Sequence, residues 1–394
     1  MAESEKICVS IVITNYNYAN FLGVAIGSAL AQTHTNKEII VVDDGSTDES
    51  RRVIDSFGDC IQAIYKENGG QRSACNLGFR AASGDIVCFL DGDDAWREDA
   101  LQEVVRAMRP GVAAVQFCVA IIDQDGRPLG SIYPPLPRNW TPRRIRDCVT
   151  KTGFYPYPPT SGNAYARWFL ERVMPLPTDQ VRNAMDGPLN TVAPLYGDVV
   201  VLQAPLGYYR MHGSNVGALV SVVPEKFSYY VNLDRDRGRF LIEAAAAQGL
   251  AIDERIFDRA LFHMQYRLAS LRLRPDLHPM PQDRLFRLAG KLAYAALIAP
   301  DPPILRLLVA LWGFAMATTP ARLARALVAM RFISSARPAA LDATLSALRV
   351  VRRTNTRAVV AVAEPYEAEP VSALAQQPSQ QEGRSRRLRA PVRT

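Results

Sequence analysis

The sequence predicts an α/β fold: a parallel sheet with helices on both faces, continued by a mainly helical C-terminal region and a tail. Three observations carry this. β-Branched apolar runs alternate with helically spaced segments through the first hundred residues. Each of those runs ends in glycine or polar residues. Beyond about residue 220 helical spacing takes over, and the final stretch becomes rich in Pro, Gln and Arg.

In order, "VSIVIT" (9–14) reads as a strand and "FLGVAIGSALAQ" (21–32) as a helix. "KEIIVVDDGS" (37–46) is a strand ending in turn residues. "TDESRRVIDSFG" (47–58) has a Thr N-cap, an acidic first turn and a terminal glycine, so it is a helix. "IQAIYKENGG" (61–70), "QRSACNLGFRAAS" (71–83) and "DIVCFLDGDD" (85–94) repeat the strand–helix–strand order. Residues 110–160 are less regular and Pro-rich. "NAYARWFLERV" (163–173) restores helical spacing, and "DVVVLQAPLGYYR" (198–210) reads as a strand.

These features divide the chain into a catalytic domain over 1–220, a helical basic region over 221–350 and a disordered basic tail over 351–394. "ILRLLVALWGFAMATTP" (304–320) contains Arg306 and is too short for the roughly 20 apolar residues of a membrane span. It is a core or interfacial helix. "PARLARALVAMRFI" (320–333) sets Arg322, Arg325 and Arg331 beside an apolar face. That pattern suits an anionic lipid surface or a helical bundle packed on itself.

Charge is uneven. Residues 1–220 hold 20 Lys and Arg against 24 Asp and Glu, whereas the rest hold 26 against 15. A basic C-terminal half favours an anionic membrane surface over nucleic acid as partner. All six cysteines lie between Cys8 and Cys148 without a CxxC, which suits buried reduced thiols and a cytoplasmic location. The N-terminus shows no basic segment followed by a long apolar run, so no signal peptide is expected.

In a parallel sheet the ligand crevice lies outside the carboxyl ends of the strands. Here those ends read "TNYN", "DDGS", "ENGG" and "DGDD". Three carboxylates within four positions, Asp91, Asp93 and Asp94, repel one another unless a cation joins them. Hard divalent ions with oxygen ligands, Mg²⁺ or Mn²⁺, meet that need and leave positions for diphosphate oxygens. Asp43 and Asp44, at the end of the second strand, could accept from a base N–H or a ribose hydroxyl.

The stretches "VSIVITNYNYANFLGVAIGSALAQT", "EIIVVDDGSTDES" and "ENGGQRSACNLGFRAASGDIVCFLDGDD" resemble family 2 glycosyltransferases of the GT-A fold. The resemblance spans about residues 7–215. It implies transfer with inversion from a nucleotide-sugar donor, a UDP- or dTDP-sugar, to a saccharide or lipid-linked saccharide acceptor in cell-surface polysaccharide biosynthesis. Thr14, Asn15 and Tyr16 would line the nucleotide pocket, with Asp44 at the base and Asp43 beside it. Asn68, Gly69 and Gly70 would let the backbone approach the nucleotide. Asp91, Asp93 and Asp94 occupy the acidic metal motif, Asp91 being a candidate for the donor as well. "YYRMHGSN" resembles a segment from which Arg210 and His212 could reach the diphosphate or the metal. The general base would be Asp186 in "NAMDGPLN", where Met185 replaces a frequent Glu, with Asp179 and Asp198 as rivals. Cys75 stands where Arg is frequent, and "PTSGNAY" (159–165) matches a loop bordering the acceptor. An enzyme of this kind would work at the inner face of the membrane. The alternative is a non-catalytic sugar-binding scaffold on the same fold.

Overall fold

The first strand carries seven residues, all buried, because side chains on both its faces meet packed helices. The computed structural model describes residues 3–134, 140–179, 181–213, 215, 222–299, 303–333 and 336. A short helix α1 (Glu3–Lys6) precedes β1 (Val9–Asn15), α2 (Ala19–Leu30), β2 (Lys37–Asp43), α3 (Ser50–Asp55) and β3 (Gln62–Tyr65). Then come α4 (Gln71–Ala81), β4 (Ile86–Asp91), β5 (Ala95–Trp96) and α5 (Ala100–Ala107). The middle of the chain supplies β6 (Val112–Ile122), β7 (Pro128–Tyr133), α6 (Pro142–Thr152), β8 (Asn163–Ala166), α7 (Arg167–Val173), α8 (Asp186–Tyr196) and β9 (Asp198–Arg210). Five helices follow: α9 (Pro224–Ala247), α10 (Leu261–Leu273), α11 (Leu285–Ile298), α12 (Pro303–Thr318) and α13 (Ala321–Phe332).

Among the described residues the strands form one sheet in the order β3-β2-β1-β4-β8-β6-β9-β5, with β7 added on β6. The first four sequence-predicted strands are parallel as expected. The second half of the sheet is not: β8 runs antiparallel to both β4 and β6. The sheet is therefore mixed. Two apolar clusters, one on each face, divide β1 between them. Val12 belongs to one, with Phe89 and Tyr165. Ile11 and Ile13 belong to the other, with Leu22 and Trp96. That is the alternation a strand buried on both sides must show.

Register does the positioning. Asn15 pairs with Asp43 across β1 and β2, and Thr14 pairs with Asp91 across β1 and β4. Four polar strand-end residues so stand in a row at one sheet edge.

Three expectations are corrected. Residues 110–160 are not irregular throughout, because "VAAVQFCVAII" is the eleven-residue strand β6 and is buried almost end to end. Residues 163–173 are not one helix. β8 occupies 163–166, where Asn163, Ala164 and Tyr165 take register against β6, and α7 begins only at Arg167. Cys60 is exposed; Cys75, Cys88 and Cys118 are buried, and all six thiols are free.

The boundary near 220 and the tail over 351–394 lie outside the described residues. Past that boundary α9 packs back on the sheet domain: Leu241, Ala244 and Ala245 join the same apolar cluster as Val12 and Phe89. Helices α9–α13 also build a separate small core around Phe227, Met264, Leu292 and Met316. No described helix is long and apolar enough to cross a membrane.

Candidate active site

The strand ends open into a cavity of about 430 Å³. Thr14, Asn15, Tyr16, Asp44, Asn68, Gly70, Asp91, Asp93 and Asp186 all line it. That volume lies within the usual range for small-molecule sites. A second concavity of similar size, between Asp253 and Tyr294, is bordered by acids and bases that pair with each other.

The β2 end is held from within. Asp43 accepts from Asn15 Nδ2 at 2.7 Å, Ser46 Oγ at 2.6 Å and Ser46 N–H at 3.0 Å. It is buried and lies outside the cavity wall, so its work is to hold the turn. Asp44 reaches the wall, but its carboxylate takes the N–H groups of Gly69 (2.9 Å) and Gly70 (2.7 Å) and Lys66 Nζ (2.6 Å). It thereby folds the glycine loop against β2. Gly70 sits at φ 86°, and a Cβ there would meet Arg182 Cβ at 2.5 Å, so only glycine fits.

The acidic turn after β4 is crowded. Ligand oxygens of Asp91, Asp93 and Asp94 lie within 4.8 Å of one another. Burial, then the Asp93 charge, pushes the carboxyls of Asp91 and Asp94 up. Both oxygens of Asp94 already accept hydrogen bonds, from Ser161 Oγ at 2.6 Å and Arg210 N–H at 3.0 Å. Asp91 and Asp93 face the cavity. This all-oxygen cluster, in which burial and mutual repulsion push Asp91 and Asp94 up, fits a hard divalent cation.

Arg210 and His212, expected to reach the diphosphate or the metal, both contact the acidic turn. The Arg210 side chain is buried behind the turn, donating to the carbonyls of Asp93 (3.0 Å), Asp123 (3.3 Å) and Gln124 (3.1 Å). Its guanidinium stacks 5.0 Å from the Phe21 ring. Neither Arg210 nor His212 lines the cavity. His212 Nε2 lies 2.9 Å from Asp93 Oδ2, with its ring packed on Phe21 and Tyr18. Both residues brace Asp93 from behind.

Asp186 opens α8 and lines the same cavity as Asp91 and Asp93. Burial pushes its carboxyl up, while N–H groups of its own first turn, Arg237 and Arg72 pull the other way. Asp179 is exposed. Asp198 is also exposed and lies 3.6 Å from Arg146. Neither lines the cavity.

Sequence reasoning missed the residue that joins the two sides. Gln71 Nε2 donates to Asp91 Oδ1 at 2.7 Å and Thr160 Oγ1 at 3.3 Å. Its Oε1 accepts from Ala184 N–H at 3.0 Å and Met185 N–H at 3.4 Å. Ala184 stands at φ 62°, an unusual backbone for a side-chain-bearing residue, two positions before Asp186. The available signal was position: Gln71 directly follows the Gly-Gly pair. Also missed were Tyr18, Arg182 and Tyr209, and from α9 Tyr229, Tyr230 and Leu233, all on the cavity wall. Nothing in a local pattern marks residues 40 or more positions downstream as part of the same site.

Buried charge ties α9 to this wall. Arg72 donates to Asp236 at 2.5 Å, to the Ala184 carbonyl at 3.3 Å and to the Pro177 carbonyl at 3.1 Å.

Residues 10–164 match the family described as Glycosyl transferase family 2. An uncharacterized glycosyltransferase of Nostoc sp. is 40% identical over 213 residues, which is 52% of this chain and 66% of that protein. TuaG of Bacillus subtilis, named for teichuronic acid biosynthesis, is 34% identical over 129 residues, 32% of this chain and 51% of its own. The chain thus spans just under two thirds of the Nostoc protein and about half of TuaG. Staphylococcus aureus TarS, solved with UDP, superposes with a TM-score of 0.49 at 16% identity, covering 82% of this chain and 91% of that one.

Proposed function

Because the chain belongs to glycosyl transferase family 2, we propose that the cavity transfers a sugar, with inversion, from a nucleotide-diphosphate donor to a saccharide acceptor. The observation that carries this reading is one cavity lined both by the half-buried carboxylate of Asp186 and by Asp91 and Asp93 of the acidic turn. The donor would be a UDP- or dTDP-sugar, its nucleotide lying along Thr14, Asn15 and Tyr16 with the base near Asp44. Asp91 and Asp93 would hold Mn²⁺ or Mg²⁺, whose chemistry is to neutralise charge gathering on the leaving diphosphate. Asp94 and His212 would fix those ligands from behind.

Asp186 then takes the proton of the acceptor hydroxyl. That oxygen forms its bond to the anomeric carbon as the bond to the diphosphate breaks and the diphosphate keeps the electron pair. A raised pKa suits a group that must gain a proton during the step. Tyr229, Tyr230 and Leu233 give the acceptor side an apolar, aromatic wall. This supports a lipid-linked saccharide acceptor, used in cell-surface polysaccharide biosynthesis at the inner face of the membrane.

The test is release of nucleoside diphosphate from a panel of UDP-, dTDP- and GDP-sugars with Mn²⁺. Asp186→Asn should lower turnover about 10²–10⁴-fold and leave nucleotide affinity nearly unchanged. Asp93→Ala should remove the metal dependence. Nucleotide binding without turnover on any donor or acceptor would favour the scaffold reading.

A further inference from the structure

Helices α11 and α12 form an antiparallel hairpin. Arg306 Nη1 donates to the Leu297 carbonyl at 2.9 Å near the turn. Further back, a Cβ on Gly313 would sit 2.8 Å from Leu292 Cδ2, so the helices are closely packed there. Their inner faces enter the small core through Leu288, Leu292 and Met316.

Their outer faces are the anomaly. On α12, Ile304, Leu307, Leu308, Leu311 and Phe314 recur at helical spacing and are each 40–57% exposed. No residue on that exposed face of α12 is charged. On α11, Tyr294, Leu297 and Ile298 are likewise exposed. Contiguous apolar surface of this kind is uncommon on a protein that meets only water.

Charge selects the occupant. From Arg284 to Ile333 the sequence has seven Lys and Arg and a single acid, Asp301, which lies outside the described residues. Arg287, in the first turn of α11, and Arg322 and Arg325, on α13 just past the end of α12, are exposed. The single described charge near the turn, Arg306, has its guanidinium on a helix-terminal carbonyl. A second copy of the chain would set basic against basic across a two-fold axis. Residues 337–394 hold ten Arg against five acids and so share the sign.

We propose that the α11–α12 outer face is a docking surface for an anionic lipid bilayer. The apolar stripe lies at the acyl boundary, and Arg287, Arg322 and Arg325 meet the headgroups. This deepens the lipid-linked acceptor reading by naming the surface that brings the cavity to such an acceptor.

The test is flotation of the full chain with phosphatidylcholine vesicles, with and without about 30% phosphatidylglycerol. Binding is expected only with the anionic lipid, and should weaken severalfold in 0.5 M NaCl. Leu307→Asp with Leu311→Asp should weaken it at least tenfold. Arg287→Glu with Arg322→Glu should weaken it and remove most of its salt dependence. Circular dichroism, gel filtration and nucleotide binding confirm that each variant is folded. The proposal is overturned by equal binding to both lipids or by a Leu→Asp pair that binds within twofold of the parent. It is also overturned by a dimer that this pair converts to monomer. Flotation needs neither donor nor turnover, so failed lipid binding with intact sugar transfer sinks the surface alone. Intact lipid binding with no transfer sinks the catalytic reading alone.

Discussion

Replacing Gln71 with alanine cuts the link between the acidic turn and the turn that precedes Asp186. Four contacts go: the bonds to Asp91 (2.7 Å) and Thr160 (3.3 Å), and those from the N–H groups of Ala184 (3.0 Å) and Met185 (3.4 Å). A hydrogen bond to an ionised carboxylate contributes about 1.5–3 kcal/mol, and a neutral one about 0.5–1.5 kcal/mol. Ala184, held at φ 62°, carries strain of about 1–2 kcal/mol, which favours relaxation once its acceptor is gone. A shift of about 1 Å in the following Asp186 is enough to lower the rate about 10²-fold. The expected result at saturating Mn²⁺ is kcat down about 100-fold with donor KM within about threefold, since Thr14, Asn15, Tyr16 and Asp44 are untouched. Burial and the Asp93 charge raise the Asp91 pKa and the Gln71 amide pulls it down, leaving it at about 7. Cation binding needs the ionised form, so it weakens as pH falls through that value. In Gln71→Ala the midpoint should move upward. Steady-state kinetics and Mn²⁺ titration across pH 5.5–8.5 make the comparison. A variant with kcat within threefold of the parent and an unmoved midpoint would refute the bridging role.

Other outcomes follow from the same geometry. In the parent protein, Mn²⁺ affinity measured calorimetrically should rise with pH and level off above about 7, because burial holds Asp91 protonated below it. Asp236→Ala leaves Arg72 buried without its 2.5 Å partner. It should lower stability in urea by about 3–5 kcal/mol, a loss that a merely exposed pair would not show. Gly70→Ala forces a Cβ to 2.5 Å from Arg182 Cβ at a positive φ, so nucleotide affinity by titration should drop at least tenfold.

The sequence alone determined what local chemistry can encode. Strands 9–14 and 85–91 are legible because they are unbroken apolar runs, and a run buried on both faces needs no partner to be recognised. The polar strand ends and the triplet from Asp91 to Asp94 are legible for the opposite reason: carboxylates set directly after an apolar run must find hydrogen-bond donors or a cation once the fold buries them. Tertiary structure decided matters that depend on distance through space. Antiparallel β8 looks helical by spacing, and only its place between β4 and β6 makes it a strand. Arg210 reads as a phosphate ligand, yet its rotamer is set by three carbonyls that belong to residues far away in sequence. Gln71 has no motif, because its role is defined by Asp91 on one side and Ala184 on the other. The tyrosines of α9 enter the cavity because Arg72 and Asp236, 164 positions apart, bury a shared charge. A pattern in a chain records which faces want to be dry; which dry faces meet is fixed only when the whole set packs at once.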